Sequence, residues 1–304
     1  MTAQFSSAVP VADDLLVLLA VARSGRYTTA ARQLGVTHTT VGRRIEALEV
    51  ALGGPVLARG SDGWRLTALG ERAAAAGEAV QAAIAALDEG GGELAGVIRL
   101  SATDGFSAFV AAPAMARLRE RHPGVSLEIV AQTRQAAVHR SGVDLEVVVG
   151  RPEVRRAQAV RLAEYELGIY ASPGYLAEHG EPRSAADLEG KPLVYFIESL
   201  LQVDSLDDAR HRIPDMADAV SSTNVFVHVA ATRAGAGYGL LPAFLADQDP
   251  GLVRVLREEV APRLPYWLVA PPDVYRLPLV SAYLAALRER LDEVRPQLLG
   301  VRTG

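Results

Sequence analysis

Gly25–Glu71 reads GRYTTAARQLGVTHTTVGRRIEALEVALGGPVLARGSDGWRLTALGE. Thr28 is placed to cap a short helix in which Ala30, Ala31 and Leu34 pack, and Gly35 ends it. Thr37 caps the next helix, whose Val41, Ile45, Leu48 and Leu52 form one apolar stripe. Two helices joined by a tight glycine-containing turn are a helix-turn-helix. After Gly53-Gly54, the run Pro55 to Arg59, the turn Ser61-Asp62-Gly63 and the run Trp64 to Leu66 read as a hairpin wing. Upstream, Leu15, Leu18, Leu19 and Ala22 recur at helical spacing from Asp13 to Arg23, and Ser24-Gly25 stops that helix. The expectation is a winged helix-turn-helix over residues 1–66.

The 304-residue chain carries a net charge of −5, which excludes a general nucleic-acid coat but not a local DNA-binding face. Arg23, Arg26, Arg32, Arg43, Arg44, Arg59 and Arg65 meet only Glu46, Glu49 and Asp62 across residues 23–65, so this stretch is basic within an acidic chain. A recognition helix lies in the major groove with its early residues at base edges. His38, Thr39, Thr40 and Arg43 fall on the side opposite the apolar stripe, and Arg43 is the candidate for bidentate contact to guanine. Arg44, Arg59 and Arg65 are expected on phosphates, as is Thr28 or Thr29. Trp64 is expected to anchor the wing by packing.

Working outward, Thr67 caps an alanine-rich helix reaching about Glu89. Its positions Leu69, Ala73, Ala76, Val80, Ile84 and Leu87 make a small-residue face suited to pairing with a copy of itself, and Gly90-Gly91-Gly92 forms a hinge. Residues 67–92 are therefore read as a linker and dimerisation helix. From Glu93 strands alternate with helices, an α/β texture that predicts parallel sheets covered on both faces. No apolar run approaches the roughly 18 residues of a membrane span. Met1 to Pro10 has neither basic cluster nor apolar core, and the chain has no cysteine, so a cytoplasmic protein without disulfides is expected.

No catalytic residues, metal site or cofactor are expected. His38, His122, His139, His179, His211 and His228 are scattered without ligand spacing, and neither a nucleophile elbow nor a P-loop occurs. Gly235-Ala236-Gly237-Tyr238-Gly239 follows a helix rather than a strand, which suits a helix-ending turn and not a dinucleotide site.

Leu15 to Arg72 resembles the DNA-binding end of LysR-type transcriptional regulators. An aromatic-Thr-x-Ala-Ala leads to Leu-Gly-Val, a recognition helix, Leu-Glu-x-x-Leu-Gly, x-Arg and Leu-Thr-x-x-Gly, all in register. Arg119–Pro123, Ser141–Asp144 and Ala234–Pro242 match turns of that family's effector domain, which resembles periplasmic binding proteins. The resemblance spans about residues 12–295. It departs at Leu57, where the family often has Phe, at Asp62, an often basic wing tip, and at Gly42, which replaces a common hydroxyl residue. Gly42 either costs the helix stability or admits the DNA backbone closely.

The resemblance implies an α/β effector domain over residues 93–304 with two lobes, one about 93–165 and 267–304, the other about 166–266. Small ligands favour clefts between such lobes, at strand ends and helix starts. Candidate effector contacts are Thr103, Asp104, Gln132 and Thr133 from the first lobe, and Glu198, Ser199, Thr223 and Asn224 from the second. Backbone N–H groups near Gly105 and Asn224 are further candidates for an anionic group, while two acids at one cleft, Asp104 and Glu198, point instead to amines or hydroxyls. Each of Asp104, Thr223 and Asn224 is equally well read as a helix cap. The partners implied are double-stranded DNA with a partly palindromic operator, a small-molecule effector and a second copy of the chain in a dimer of dimers. A solute-binding protein and a metabolic enzyme on the same scaffold are the competing classes; the first 66 residues count against the former.

Overall fold

The computed structural model describes residues 12–60, 63–86, 94–133, 143–154, 157–197, 203–272 and 274–301. The chain divides into two compact units, one formed by Met1–Gly92 with His139–Asp144 and Pro272–Ser281, the other by Glu93–Val138, Leu145–Pro271 and Ala282–Gly304.

In the first unit, helices α1 (Ala12–Ser24), α2 (Tyr27–Gln33) and α3 (His38–Leu52) precede the hairpin β1 (Leu57–Gly60) and β2 (Gly63–Leu66) and helix α4 (Ala68–Ala86). Leu18, Val21, Ala30, Val41, Ile45, Leu48 and Val56 close on one another as the core, as the helical spacing requires. Thr37 caps α3, its hydroxyl accepting from the Thr40 N–H at 3.2 Å. Thr28 does not cap α2: that helix starts one residue earlier, behind Arg26, and has no side-chain cap. The Trp64 ring packs on the core and stacks on Tyr27 at 5.1 Å, and the Trp64 backbone N–H donates to the Gly25 carbonyl at 2.9 Å. A Cβ on Gly63 would lie 2.5 Å from that same carbonyl, so only glycine lets the wing sit against the α1–α2 turn. Thr67 starts α4, accepting from the Gly70 N–H at 3.0 Å while donating to the Pro55 carbonyl at 2.6 Å. The expected end of α4 near Glu89 lies outside the described residues.

The second unit is built on β3 (Ala95–Ala102), β4 (Gly124–Ala131), β5 (Leu145–Val149), β6 (Gln158–Ala171), β7 (Pro192–Phe196), β8 (Ala217–Ser222), β9 (Tyr238–Pro242), β10 (Val253–Val255) and β11 (Arg263–Ala270). They run β4-β3-β5-β11-β6-β9-β7-β8, with β10 on β6. The sheet is mixed, not parallel throughout. β3 pairs in parallel with β4 and β5, and β7 with β8 and β9, but β11 and β6 are antiparallel to their neighbours. The cause is β6, which has 14 residues: its first part pairs with β11 and its last part with β9, so one strand crosses both lobes.

Around the sheet lie α5 (Asp104–Phe106), which continues through a π turn, Ser107–Ala111, into α6 (Ala112–Arg121), then α7 (Pro173–His179), α8 (Asp204–Arg210), α9 (Val225–Arg233), α10 (Ala243–Ala246) and α11 (Pro278–Leu298). Where β6 passes between lobes, the buried Glu166 carboxylate takes Arg254 at 2.8 Å and Arg263 at 3.2 Å. Gly168 leaves the space for that guanidinium, since a Cβ there would stand 2.7 Å from Arg254 Nε. Among the described residues no helix is long and apolar enough to cross a membrane.

Candidate DNA-binding face and effector cavity

Burial of Val41, Ile45 and Leu48 turns the opposite side of α3 outward, and His38, Thr39 and Arg43 are exposed there, with Thr40 half-buried. The Thr37 hydroxyl lies 2.9 Å from those of both Thr39 and Thr40, so three hydroxyls cluster at the start of the helix. Arg59 and Arg65 are exposed on the wing strands; Thr28 is exposed and Thr29 half-buried in the first turn of α2. Arg44, expected on a phosphate, is instead held at 3.3 Å from Asp13 and 3.7 Å from Asp14 on α1. At Gly42 the missing Cβ would meet the Tyr27 ring at 3.8 Å, an ordinary contact. Asp62 lies outside the described residues.

The wing is tied to α3 by a side chain that was not singled out from the sequence. Glu49 Oε1 accepts from the Val56 N–H at 2.9 Å and the Leu57 N–H at 3.4 Å. Burial and the Glu49 charge, in that order, push the Tyr27 hydroxyl above its usual pKa. The Leu-Glu pair ahead of Gly53-Gly54 was the available signal, read only as part of a pattern.

In the second unit, a narrow cavity of about 20 Å³ lies between the lobes, room for the centre of a water molecule. Thr103, Asp104 and Thr133 line it. Thr103 is buried and caps α5, accepting from the Phe106 N–H at 3.4 Å. Asp104 receives the Asn224 Nδ2–H at 3.3 Å, a bond from the start of α5 to the start of α9. Asn224 is also the α9 cap, its Oδ1 accepting from the Phe226 N–H at 2.8 Å, and it does not itself line the cavity. Burial raises the Asp104 carboxyl pKa above its ordinary value.

Other expected contacts lie elsewhere. Gln132 turns to the sheet, donating to Ser101 Oγ at 3.1 Å, and Thr223 is exposed; neither lines the cavity. The N–H groups of Asn224, Phe226 and Val227 are taken by Ser222 Oγ, Asn224 Oδ1 and Asn224 O, so the start of α9 is poorly supplied for an anion. Glu198 and Ser199 lie outside the described residues. Gly105, named from the sequence for its backbone, also lines the cavity, and the rest of the lining comes from side chains the sequence did not distinguish from core, among them Tyr165, Phe196, Leu206 and Tyr266. Strand and helix apolar residues look alike in sequence whether they face a core or a cleft. A second, polar cavity of about 250 Å³ borders α8, where Arg210 is spent on the Pro214 and Met216 carbonyls at 3.0 and 3.2 Å.

A helix-turn-helix with a wing, followed by a two-lobed α/β unit crossed by one long strand, is the arrangement found in known regulators. Residues 12–71 match the family described as "Bacterial regulatory helix-turn-helix protein, lysR family", and residues 91–292 match "LysR substrate binding domain". The chain belongs to the LysR family. Among similar LysR regulators, DmlR of Escherichia coli is 30% identical over 191 residues, spanning 60% of this chain and 61% of DmlR. CrgA of Neisseria meningitidis is 26% identical over 248 residues, spanning 78% of this chain and 81% of CrgA. Full-length OxyR of Pseudomonas aeruginosa shares the fold with a TM-score of 0.71 at 17% identity, covering 91% of this chain and 94% of OxyR. LysR regulators bind DNA, respond to small-molecule effectors and are oligomeric; they are not enzymes. That membership removes the competing readings as a solute carrier or a metabolic enzyme.

Proposed function

We propose that this LysR regulator reads a partly palindromic operator with the outer face of α3 and is controlled by an effector held between the two lobes of residues 93–304. The observation that carries the DNA half is the exposure of His38, Thr39 and Arg43 opposite the buried Val41, Ile45 and Leu48. Arg43 makes the guanine contact, and Arg59 and Arg65 hold phosphates. Arg44 joins them by leaving Asp13, which offsets part of its contribution. Residues 1–66 form the reading head and residues 67–92 the linker, and pairing through the linker brings two heads to two half-sites. Two such dimers make the active assembly in the cytoplasm. The effector half rests on the cavity bounded by Thr103, Asp104 and Thr133. A ligand there shifts transcription through its differential affinity for lobe arrangements.

A gel shift with duplexes from neighbouring promoters tests the reading. The expected result is a specific, salt-sensitive complex. Arg43→Ala should narrow the gap between operator and random DNA by roughly 1–3 kcal/mol. Arg59→Ala should weaken both alike. Equal losses on both DNAs for Arg43→Ala would remove its assigned role, and no specific complex with any promoter would remove the operator reading.

A further inference from the structure

The lining of the inter-lobe cavity specifies the chemistry of its occupant, and the inference rests on the reading that the effector sits there. Three aromatic side chains, Tyr165, Phe196 and Tyr266, are part of the cavity lining, and Tyr165 and Tyr266 stack on each other at 4.5 Å. Among the described residues no Arg, Lys or His lines it, and Asp104 is the one carboxylate that does. The capping role of Asn224 fixes its amide, leaving Nδ2 as the donor that meets Asp104 at 3.3 Å, a long contact for a charged acceptor. A carboxylate ligand would bring a second negative charge beside Asp104 at low dielectric. An ammonium group suits both features: it makes a charge-assisted bond to a carboxylate and is attracted by aromatic faces.

We infer that the cavity takes a small hydrophobic amine, its protonated amino group on Asp104 in place of Asn224 Nδ2 and its hydrocarbon body against Tyr165, Phe196 and Tyr266. At about 20 Å³ the cavity is too small for such a body as it stands, so entry separates the lobes. Displacing Asn224 from Asp104 breaks the hydrogen bond between the starts of α5 and α9. Binding and lobe opening are thus one event, and the amine favours the open arrangement by what it gains on Asp104.

The test uses the full chain, with benzylamine and butylamine set against benzoate, butyrate and benzyl alcohol, read by titration calorimetry and thermal shift. The amines should bind saturably and raise the melting temperature, and the acids and alcohol should not. Asp104→Asn should weaken benzylamine at least tenfold. Asn224→Ser, which keeps a capping oxygen but removes the competing donor, should tighten it several-fold; this gain does not arise from misfolding. The circular-dichroism spectrum and ligand-free melting transition of each variant confirm its fold. Amines that fail to bind, that bind no better than the acids or alcohol, or that bind Asp104→Asn unchanged overturn the proposal. Leu206→Trp, which fills the cavity, separates the two levels. Acid binding abolished by Leu206→Trp means the cavity holds a ligand of another class, whereas binding that survives it means the inter-lobe reading is itself wrong.

Discussion

A Cβ built on Gly42 would meet the Tyr27 ring at 3.8 Å, whereas one on Gly70 would stand 1.9 Å from the Val56 carbonyl oxygen. Both glycines are helical, and their substitutions should have opposite signs. Gly42→Ala fills ordinary contact space and removes a flexible residue from the interior of α3, so the unfolding free energy should rise by about 0.5–1 kcal/mol in a urea melt. Gly70→Ala drives a methyl into backbone and should lower it. A Gly42→Ala variant less stable than the parent would contradict this account of α3.

His228 gives a second prediction at this scale. It is fully buried in α9, its Nε2 lies 2.9 Å from the Ser222 carbonyl, and burial lowers its pKa below the ordinary 6.5. Below about pH 6.5 the unfolded chain takes up a proton that the folded chain refuses. Its contribution to stability is therefore full at neutral pH and is lost as pH falls from that value toward the lowered folded pKa. His228→Gln should flatten the fall in melting temperature between pH 7 and pH 5. Parallel curves for parent and variant would rule the histidine out as the cause.

Between elements, the decisive joint is the one Glu49 makes from α3 to the first residues of the wing. Removing its acceptor leaves the Val56 N–H, on a buried residue, without that partner, at a cost of about 1–3 kcal/mol. Glu49→Ala should show that loss on denaturation and weaken operator DNA further, because the wing and its Arg59 lose their register with α3. Glu49→Gln retains the carbonyl acceptor and should recover most of both. A Gln variant as damaged as the Ala variant would show that the negative charge, not the hydrogen bond, is what matters. The register of this joint was invisible in sequence, although the elements it joins were not. Helix starts at Thr37 and Thr67 and the stop at Gly53 were legible because each is decided by one or two neighbouring residues. By contrast β8, Ala217–Ser222, and β10, Val253–Val255, carry no clear strand pattern of their own: short strands with few large apolar residues exist because a neighbour pairs with them.

At the scale of the molecule, only part of the face expected of α4 is free for a second copy, while Leu87 and the Ile84 side chain lie outside what the structure describes. Leu69, Ala73 and Val80, expected to meet a second copy, pack on the core of their own DNA-binding unit. Ala75 and Ala76 remain exposed along with Glu71 and Arg72. In the proposed dimer the copies meet through this outer side, so Ala76→Arg should shift sedimentation toward monomer while the melting of the unit stays nearly unchanged, Arg being a good helix former. A dimer unaffected by Ala76→Arg would move the interface off α4. Removing residues 67–86 is not a clean alternative, because it strips the reading head of part of its core.

Local chemistry settled what the sequence could settle alone: the order of the elements, the capped helices with their buried stripes, the Gly-rich stops, and through them the family. Each depends on residues a few positions apart, where spacing and backbone preference act directly. Tertiary structure decided that β6 pairs antiparallel with β11 and then runs on to β9, that Arg44 answers to Asp13, that Gly42 faces Tyr27, and that Tyr165, Phe196 and Tyr266 line one cavity with Asp104. Those pairings join residues tens to more than a hundred positions apart. No local preference encodes them, because burial rewards an apolar or charged side chain for having a partner without specifying which one.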